Sequence, residues 1–396
     1  MSQEMICQEC PNGCRLSAVV GDDTVQVSGQ QCDKGIVFAR RQMNIHPTAS
    51  LSQPQVFVGP SRSIYPFAGL TEIARSWGLA LQKNRPEIDI QGSPERTEYR
   101  AVVEDTQGRL WVMEEIHRRD LLRKQRIAAC LDFLSGQGLS RLPSYQKSCA
   151  GENIVTMEKG CWQLQPFIPG VVLDRTRYLQ DQWRGPVLAE FLLELRQTTS
   201  GRNLPVSPEI FSITKYISTL VEQVQRRRPD VRTRLAPVLD FLAQEFWAAH
   251  DRLPVCFCHG DYHPLNIIWE SHGIRAVIDW EFCGVKPEIY DISNMVGCLG
   301  MEHPSALTGD LVLSFLERLR AGQVIAATSW RYLLEFVVAL RFAWLSEWLR
   351  KHDEEMVDLE LVYMNLLLER HALLREAWGI RLPEFSKETL RRALRV

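Results

Sequence analysis

The sequence of 396 residues predicts an α+β protein in which a small strand-rich lobe precedes a larger helical lobe. Apolar residues alternate with polar ones at 97–103 and at 110–116, and a turn at 105–108 separates the two runs, a pattern typical of an antiparallel pair. Apolar residues then recur every three or four positions through 187–195 and 213–224, which predicts amphipathic helices. The order of these patterns places the sheet before the helices.

Changes of pattern divide the chain into segments. Strand-like runs at 15–20 and 24–28 flank a Gly-Asp-Asp turn, which predicts a β-hairpin near the N-terminus. A proline-rich stretch without periodicity follows and is interpreted as a linker, and a helix is predicted near 70–81. We therefore predict four segments: a four-cysteine module at 1–42, a linker at 43–67, the small lobe at 68–165 and the helical lobe at 166–396.

Composition and charge exclude several classes of partner. A formal net charge of −2, with 45% hydrophobic and 24% charged residues, is typical of a soluble globular protein and provides no general field for nucleic acid or an anionic membrane. The N-terminus lacks the pattern of a secretion signal. The most apolar late run, at 332–348, is interrupted by Glu335, Arg341 and Glu347 and is predicted to be a buried helix. We expect a cytoplasmic protein without nucleic-acid or membrane partners.

Two segments carry side chains suited to phosphoryl transfer. Asp261 lies between a strand-like run that ends near His259 and an asparagine, Asn266, which an apolar pair follows. Asp279 comes directly after the apolar run at 276–278. Transfer of a phosphoryl group to a hydroxyl needs a carboxylate beside the acceptor proton and cation ligands that help to neutralise the phosphates. Carboxylate and amide oxygens at these positions suit Mg²⁺.

Taken together, the two segments resemble the signature of the aminoglycoside phosphotransferase and choline/homoserine kinase superfamily, in which Asn follows His-Gly-Asp and an Asp-Trp or Asp-Phe comes later. The resemblance covers 68–396 and implies a protein-kinase-like two-lobed fold. It also implies that ATP and Mg²⁺ are used to phosphorylate a hydroxyl of a small metabolite. The implied catalytic residues are Asp261 at the acceptor hydroxyl, Asn266 on Mg²⁺ and Asp279 between Mg²⁺ and the phosphates, with His259 and Asp291 supporting the catalytic loop.

One position departs from the family pattern. The third strand of the family usually carries a lysine that holds the nucleotide phosphates and pairs with a helix glutamate. Alignment of 110–115 with that strand places Glu114 where the lysine is expected, and the next helix offers Arg123, Lys124 and Arg126. Three interpretations stay open: a shifted register, replacement of the lysine by a helix Arg or Lys in an ion pair of reversed polarity, or weak nucleotide binding.

The segment at 163–170 resembles the hinge between the two lobes of the family. The resemblance implies nucleotide contacts at Gln165 and Phe167, and an ordinary interdomain turn is the alternative. Glu114 is included with them among the predicted nucleotide-binding positions.

Four cysteines are concentrated near the N-terminus, at Cys7, Cys10, Cys14 and Cys32. The hairpin would return Cys32 to the side of Cys14, so one short segment would gather four thiolates. Their spacing resembles the iron-sulfur segment that opens molybdopterin oxidoreductases, and four thiolates suit either a [4Fe-4S] cluster or tetrahedral Zn²⁺. A redox partner for this module is a further expectation. The other seven cysteines are predicted to be small buried apolar residues.

Three classes of function remain after these observations. The leading hypothesis is an ATP-dependent kinase for a small hydroxylated metabolite. The alternative is a non-catalytic, pseudokinase-like ligand-binding module coupled to the iron-sulfur or zinc domain, which Glu114 motivates. The presence of Asp261, Asn266 and Asp279 favours catalysis. An electron-transfer component is the weakest hypothesis, because it depends on the four cysteines alone.

Overall fold

A computed structural model of the chain describes residues 65–380, except 89, 91–96, 159, 176 and 207–208, together with three strands near the N-terminus. The chain divides into one unit at 1–62 and a second at 63–396. The three N-terminal strands are β1 (Ser2–Ile6), β2 (Arg15–Val20) and β3 (Val25–Ser28). They form an antiparallel sheet in the order β1-β2-β3. The four cysteines predicted to bind a metal lie outside the described residues.

The second unit begins with helix α1 (Phe67–Ala74), which a short 3-10 turn extends to Trp77. Gly78 then adopts a left-handed conformation, with φ of 68°, and ends the helix. The predicted helix at 70–81 is therefore too long at its C-terminal end. A short strand that the sequence analysis did not predict begins at Leu81.

The small lobe is built on a five-stranded antiparallel sheet. Its strands are β4 (Leu81–Asn84), β5 (Thr97–Asp105), β6 (Leu110–Ile116), β7 (Ile154–Met157) and β8 (Gly160–Pro166), in the spatial order β4-β5-β6-β8-β7. The predicted hairpin between β5 and β6 is confirmed. The Asp105 carboxylate accepts the backbone N–H groups of Gln107 and Arg109 at 2.9 Å each, and Gly108 supplies the left-handed residue of the turn, with φ of 76°.

The two faces of this sheet differ in chemistry. One face packs Met113, Trp162 and Leu164 against Leu70 of α1. The opposite face carries the polar side chain of Glu114, and helix α2 (Leu121–Gly136) follows β6 in the chain. Because successive side chains of a strand point to opposite faces, Met113 is buried on the apolar face of the sheet and Glu114 is buried on the opposite face.

The helical lobe contains the remaining helices. They are α3 (Arg184–Thr199), α4 (Ile213–Arg227), α5 (Pro229–Arg234), α6 (Ala236–Ala243), α7 (Phe246–His250), α8 (Tyr290–Glu302), α9 (Asp310–Ala321), α10 (Ala327–Arg331), α11 (Leu333–Lys351), α12 (Glu354–Glu369) and α13 (His371–Ala377). Helix α11 is buried along its first ten residues, as predicted. None of the helices within the described ranges is long and apolar enough to cross a membrane.

Four short strands lie between α7 and α8 and carry the loops of interest. They are β9 (Val255–Cys258), β10 (Ile267–Trp269), β11 (Ile274–Val277) and β12 (Gly284–Pro287). Strand β9 pairs with β12, and β10 pairs with β11, both in antiparallel fashion. The two pairs hold the loop from 259 to 266 and the segment from 278 to 283 at fixed positions beside each other.

Candidate active site

The loop that follows β9 turns sharply at Gly260. This residue has a φ of 86°, and a Cβ atom at this position would lie 2.1 Å from the carbonyl oxygen of Phe282. Glycine is therefore required both by the backbone conformation and by the close approach of the neighbouring segment. The turn places Asp261 beyond the end of the strand, where its side chain is partly accessible.

Asp291, in the first turn of α8, anchors this loop. Its two carboxylate oxygens accept the backbone N–H groups of His259 at 2.7 Å and Gly260 at 2.8 Å. Burial raises the pKa of Asp291, and the nearby His259 and the two N–H groups oppose that shift. A single buried carboxylate thus fixes two consecutive peptide groups of the loop. The supporting role of Asp291 in catalysis stays a prediction.

His259 connects the two predicted motifs. Its Nδ1 lies 3.2 Å from the backbone N–H of Asp261, and its Nε2 lies 2.9 Å from the carbonyl oxygen of Ile278. Because Nδ1 accepts, the proton is assigned to Nε2, which donates to Ile278. Burial lowers the pKa of His259, so the neutral ring that this arrangement requires is favoured.

The Asp261 carboxylate is held from three directions. The Asn266 amide nitrogen donates to the Asp261 carbonyl at 2.9 Å and to its Oδ2 at 3.1 Å. The amide of Asn294, on α8, lies 3.5 Å from Oδ1. The Nε2 of His263 lies 3.6 Å from Oδ2. The sequence did not indicate either of these residues, because Asn294 lies on α8 outside the Asp261 motif and nothing distinguishes His263 within the loop.

Asp279 lies beside Asn266 because their strands are paired. The backbone N–H of Ile278 donates to the carbonyl of Asn266 at 2.9 Å, immediately before β10 and after β11. Asp279 then adopts a left-handed conformation, with φ of 62°, which aspartate tolerates better than most residues. The Trp280 indole donates to the carbonyl of Val277 at 2.7 Å and closes the turn. The two predicted Mg²⁺ ligands are thereby neighbours.

The oxygens at this position fit a hard divalent cation. Both amide hydrogen bonds of Asn266 in the described residues come from its nitrogen, which directs its Oδ1 away from Asp261. Together with the Asp279 carboxylate this gives an amide and an acidic oxygen, as Mg²⁺ prefers. The described ranges contain no group of three or more His, Cys, Asp or Glu side chains that could hold a metal by themselves. A cation here would need further ligands from phosphates and water.

Glu114 is fully buried on β6 and is surrounded by donors. It accepts hydrogen bonds from Thr97 at 2.5 Å, from the Arg100 guanidinium on β5 and from the Gln163 amide on β8. Its ion partner is therefore Arg100, directly opposite on the neighbouring strand, and not one of the helix residues considered above. Lys124 of α2 forms its ion pair with Glu281 instead.

This polar cluster lies close to the segment that carries Asp279. Burial opposes ionisation of Glu114, but the charges of Arg100 and Lys124 lower its pKa overall, so the carboxylate is ionised. Burial would lower the pKa of Arg100, but Glu114 and, more weakly, Asp279 raise it. Glu281 lies two residues after Asp279, so its pairing with Lys124 joins α2 to the same segment. Arg100 is the cation of this cluster that the sequence analysis missed.

The predicted hinge residues lie at the end of β8. Gln165 and Phe167 are both half-buried. The backbone N–H of Phe167 donates to the carbonyl of Leu110 at 2.9 Å, so this N–H continues the pairing of β8 with β6. Contact of Phe167 with a nucleotide base would therefore involve its ring or its carbonyl.

Comparisons with known structures agree with this architecture. A microcompartment-associated aminopropanol kinase aligns with a TM-score of 0.57 and 15% identity, over 80% of this chain and 99% of its own. The GDP complex of an aminoglycoside 2′-phosphotransferase IIIa variant aligns at 0.55 and 17%, over 78% and 99%. An aminoglycoside phosphotransferase from Alicyclobacillus acidocaldarius aligns at 0.54 and 15%, over 80% and 96%. At these identities the similarity shows the fold.

A search among curated proteins gave no match. The model of the phosphotransferase enzyme family, in contrast, matches residues 95–336, which is more than half of the chain and includes both motifs described above. The chain therefore belongs to the phosphotransferase enzyme family.

Proposed function

We propose that the protein transfers the γ-phosphoryl group of ATP to a hydroxyl of a small metabolite. The observation that carries this proposal is the shared hydrogen-bonded frame of the two loops, which holds Asp261 next to Asn266 and joins both to the segment of Asp279. Membership of the phosphotransferase family and the relation of the fold to small-molecule kinases support it.

Asp261 is the residue that meets the acceptor. Asn266 and Asn294 donate to its carboxylate from the protein side, and part of the side chain stays accessible. The carboxylate accepts a hydrogen bond from the acceptor hydroxyl, orients its oxygen toward the γ-phosphorus and takes its proton as the new P–O bond forms. The bond from the γ-phosphorus to the β-γ bridging oxygen breaks, and ADP leaves.

Asn266 and Asp279 would hold Mg²⁺ through an amide oxygen and a carboxylate. A cation held there would supply positive charge that offsets the charge of the phosphates. The protein's part is to keep the two oxygen ligands in fixed positions. Hydrogen bonds from the side-chain amide of Asn266 to Asp261 fix Asn266. The tight turn that the Trp280 indole closes fixes Asp279.

Arg100 supplies the positive charge that the family usually places on the third strand. Its side chain is about one quarter exposed, while that of its partner Glu114 is buried. Glu114 therefore acts through Arg100: it fixes the guanidinium on the sheet face near Asp279 and is itself neutralised by it. A guanidinium in this position suits bidentate contact with phosphate oxygens.

The acceptor is proposed only as a small hydroxylated compound. The aminopropanol kinase and the aminoglycoside phosphotransferases named above indicate amino alcohols and aminoglycosides as the first compounds to test. Sugars and homoserine-like metabolites complete the panel, since the fold does not specify the acceptor.

Turnover of the Asp261→Asn variant tests the mechanism. The amide cannot take the hydroxyl proton, so the rate of ADP formation should fall at least about 100-fold while the fold is retained. Asp240→Asn, an exposed position on α6, is the matched control and should retain wild-type activity. A wild-type rate for Asp261→Asn would contradict the proposed role.

Nucleotide binding tests the non-catalytic alternative that Glu114 motivates. Calorimetry with ATP and Mg²⁺ should show binding to the wild type and its loss in Asp279→Ala. If neither protein binds nucleotide, the pseudokinase-like module becomes the better description.

For the N-terminal unit we propose, from the spacing of its four cysteines alone, a [4Fe-4S] cluster or a Zn²⁺ ion. Iron, sulfide and zinc analysis of anaerobically purified protein distinguishes the two metals. Protein that contains neither would refute the module, and a redox partner is to be sought only if iron is present.

A further inference from the structure

Two thiols lie directly behind the candidate catalytic loop. Cys256 and Cys258 are on the same side of β9, and their sulfur atoms are 3.6 Å apart. Cys258 is buried and Cys256 is half-buried. Both were expected to be small buried apolar residues, but two sulfur atoms at van der Waals distance can also be oxidised to a disulfide.

The surroundings of the two sulfur atoms differ. The Arg196 guanidinium donates to the Cys256 sulfur at 3.0 Å, and Glu288 holds Arg196 in place through an ion pair of 2.7 Å. Cys256 is thus the thiol that lies next to a positive charge, and it is also the more exposed of the two. Burial, together with the contact to Cys256, raises the pKa of the Cys258 thiol. Cys256 is therefore suited to react first, and Cys258 to react second.

A cavity adjoins this pair. It has a volume of about 20 Å³, and its lining includes Cys256, Cys258, Arg196 and Asp291. This is enough space for one water-sized group. An oxygen atom added to the Cys256 sulfur would thus find room next to the guanidinium without displacement of the core.

We propose that Cys256 and Cys258 form an oxidation site for peroxides that switches off the phosphotransferase. In the first step the Cys256 thiolate attacks one oxygen of hydrogen peroxide, the O–O bond breaks, and the released hydroxide takes up a proton to give water and a sulfenic acid. In the second step the Cys258 sulfur attacks the Cys256 sulfur, its proton joins the departing hydroxyl as water, and a disulfide forms. Two thiols are oxidised and one peroxide is reduced to two waters.

The expected loss of activity follows from strand geometry and rests on the proposed function. Residues i and i+2 of an extended strand have Cα atoms roughly 6.6 Å apart, which is near the long end of the roughly 4.4–6.8 Å that disulfides span and beyond their commonest separation of roughly 5.5–6 Å. Bond formation must also bring the two sulfur atoms from 3.6 Å to roughly 2.0 Å. This pulls on β9 at Cys258, which is paired with Gly284 on β12 and directly precedes His259. Because Asp291 fixes the backbone of His259 and Gly260, contraction of the strand strains the catalytic loop.

The experiment treats the full-length, anaerobically purified protein with hydrogen peroxide and follows thiol chemistry separately from activity. The tryptic peptide 253–275 contains these two cysteines and no other, so an internal disulfide is seen as a loss of two hydrogens that dithiothreitol reverses. Turnover should fall at least about tenfold and return with dithiothreitol. In Cys258→Ser the sulfenic acid of Cys256 should persist and react with dimedone.

Variants and controls decide the outcome. Cys256→Ser should resist peroxide, and Cys149→Ser, which removes an exposed cysteine, should respond like the wild type. Absence of the disulfide from peptide 253–275, a disulfide to Cys283 instead, or undiminished peroxide sensitivity in Cys256→Ser would each overturn the proposal. The peptide mass does not depend on turnover, so disulfide formation in a protein without kinase activity would refute the proposed function and leave the oxidation site standing.

Discussion

The ion pair between Arg100 and Glu114 can be tested by a double-mutant cycle. After Arg100→Gln, the hydrogen-bond donors that the described part of the chain still provides to the buried Glu114 are Thr97 and Gln163. Removal of one partner of a buried pair costs about 3–5 kcal/mol. Glu114→Gln should cost less, about 1.5–3 kcal/mol, because Arg100 is partly exposed and water can solvate it. The double Gln variant has no orphaned charge and should be less destabilised than Arg100→Gln alone.

Because the double variant costs less than Arg100→Gln, the coupling energy between the two positions must exceed the cost of Glu114→Gln and should be at least about 1.5–3 kcal/mol. Urea denaturation of the wild type, both single variants and the double variant measures it. Additive effects would show that Arg100 and Glu114 do not act as a pair, and would refute the assignment of Arg100 as the ion partner.

The same variants separate folding from phosphate binding. Loss of one charge-assisted hydrogen bond to phosphate costs about 1.5–3 kcal/mol, which weakens binding roughly 10- to 100-fold. The double variant should therefore fold but bind ATP and Mg²⁺ that much more weakly. Glu114→Gln keeps the Arg100 cation but removes the carboxylate that holds it in place, so its affinity should lie between those of the wild type and the double variant. Calorimetric binding of the double variant at wild-type strength would refute the role of Arg100 and shift attention to Lys124.

Two further predictions concern the catalytic loop. Gly260→Ala should destabilise the protein by more than about 2 kcal/mol and abolish turnover, because the new Cβ would collide with the Phe282 carbonyl. The control is Gly108→Ala, which has a similar φ but no neighbour within 4 Å, and it should lose only about 1 kcal/mol of stability and stay active. Equal losses of stability in the two variants would contradict this reasoning. His259 has a pKa below its usual 6.5, so the unfolded chain binds its proton more readily and stability should fall as the pH drops below 6.5. Urea denaturation between pH 7.5 and pH 5 should show a steeper loss for the wild type than for His259→Gln, and equal slopes would exclude His259 as the cause.

Local patterns account for the part of the site that the sequence could predict. The loop around Asp261 and the segment of Asp279 are each continuous in the chain, and their relation to the family is visible in a few residues. The hairpin of β5 and β6 was likewise predictable from alternation and a turn. Arg100 was not, because its identity as a partner depends on the strand register that places it opposite Glu114.

Partners distant in the chain could not be predicted either. Glu335 and Arg341 interrupt an otherwise apolar helix, and the sequence showed only that a membrane span was unsuitable. In the structure Arg341 forms a buried ion pair with Glu360 of α12, and Glu335 pairs with Arg375 of α13. Each pair joins two helices whose relative position depends on packing of the whole lobe. Composition and periodicity carry no information of this kind.

The glutamate on the third strand does not by itself indicate loss of nucleotide binding. A strand lysine paired with a helix glutamate has no net charge. In this protein Arg100 and Lys124 likewise offset Glu114 and Glu281, and a further cation, Arg123, lies 3.3 Å from Glu281. The difference is one of position, since the positive charges lie on β5 and α2 and not on β6. The field at the phosphates depends on the distance to each cation and not on the strand that carries it. A guanidinium fixed beside the Asp279 segment can therefore perform the task of the missing lysine, provided that Glu114 stays ionised and holds it there.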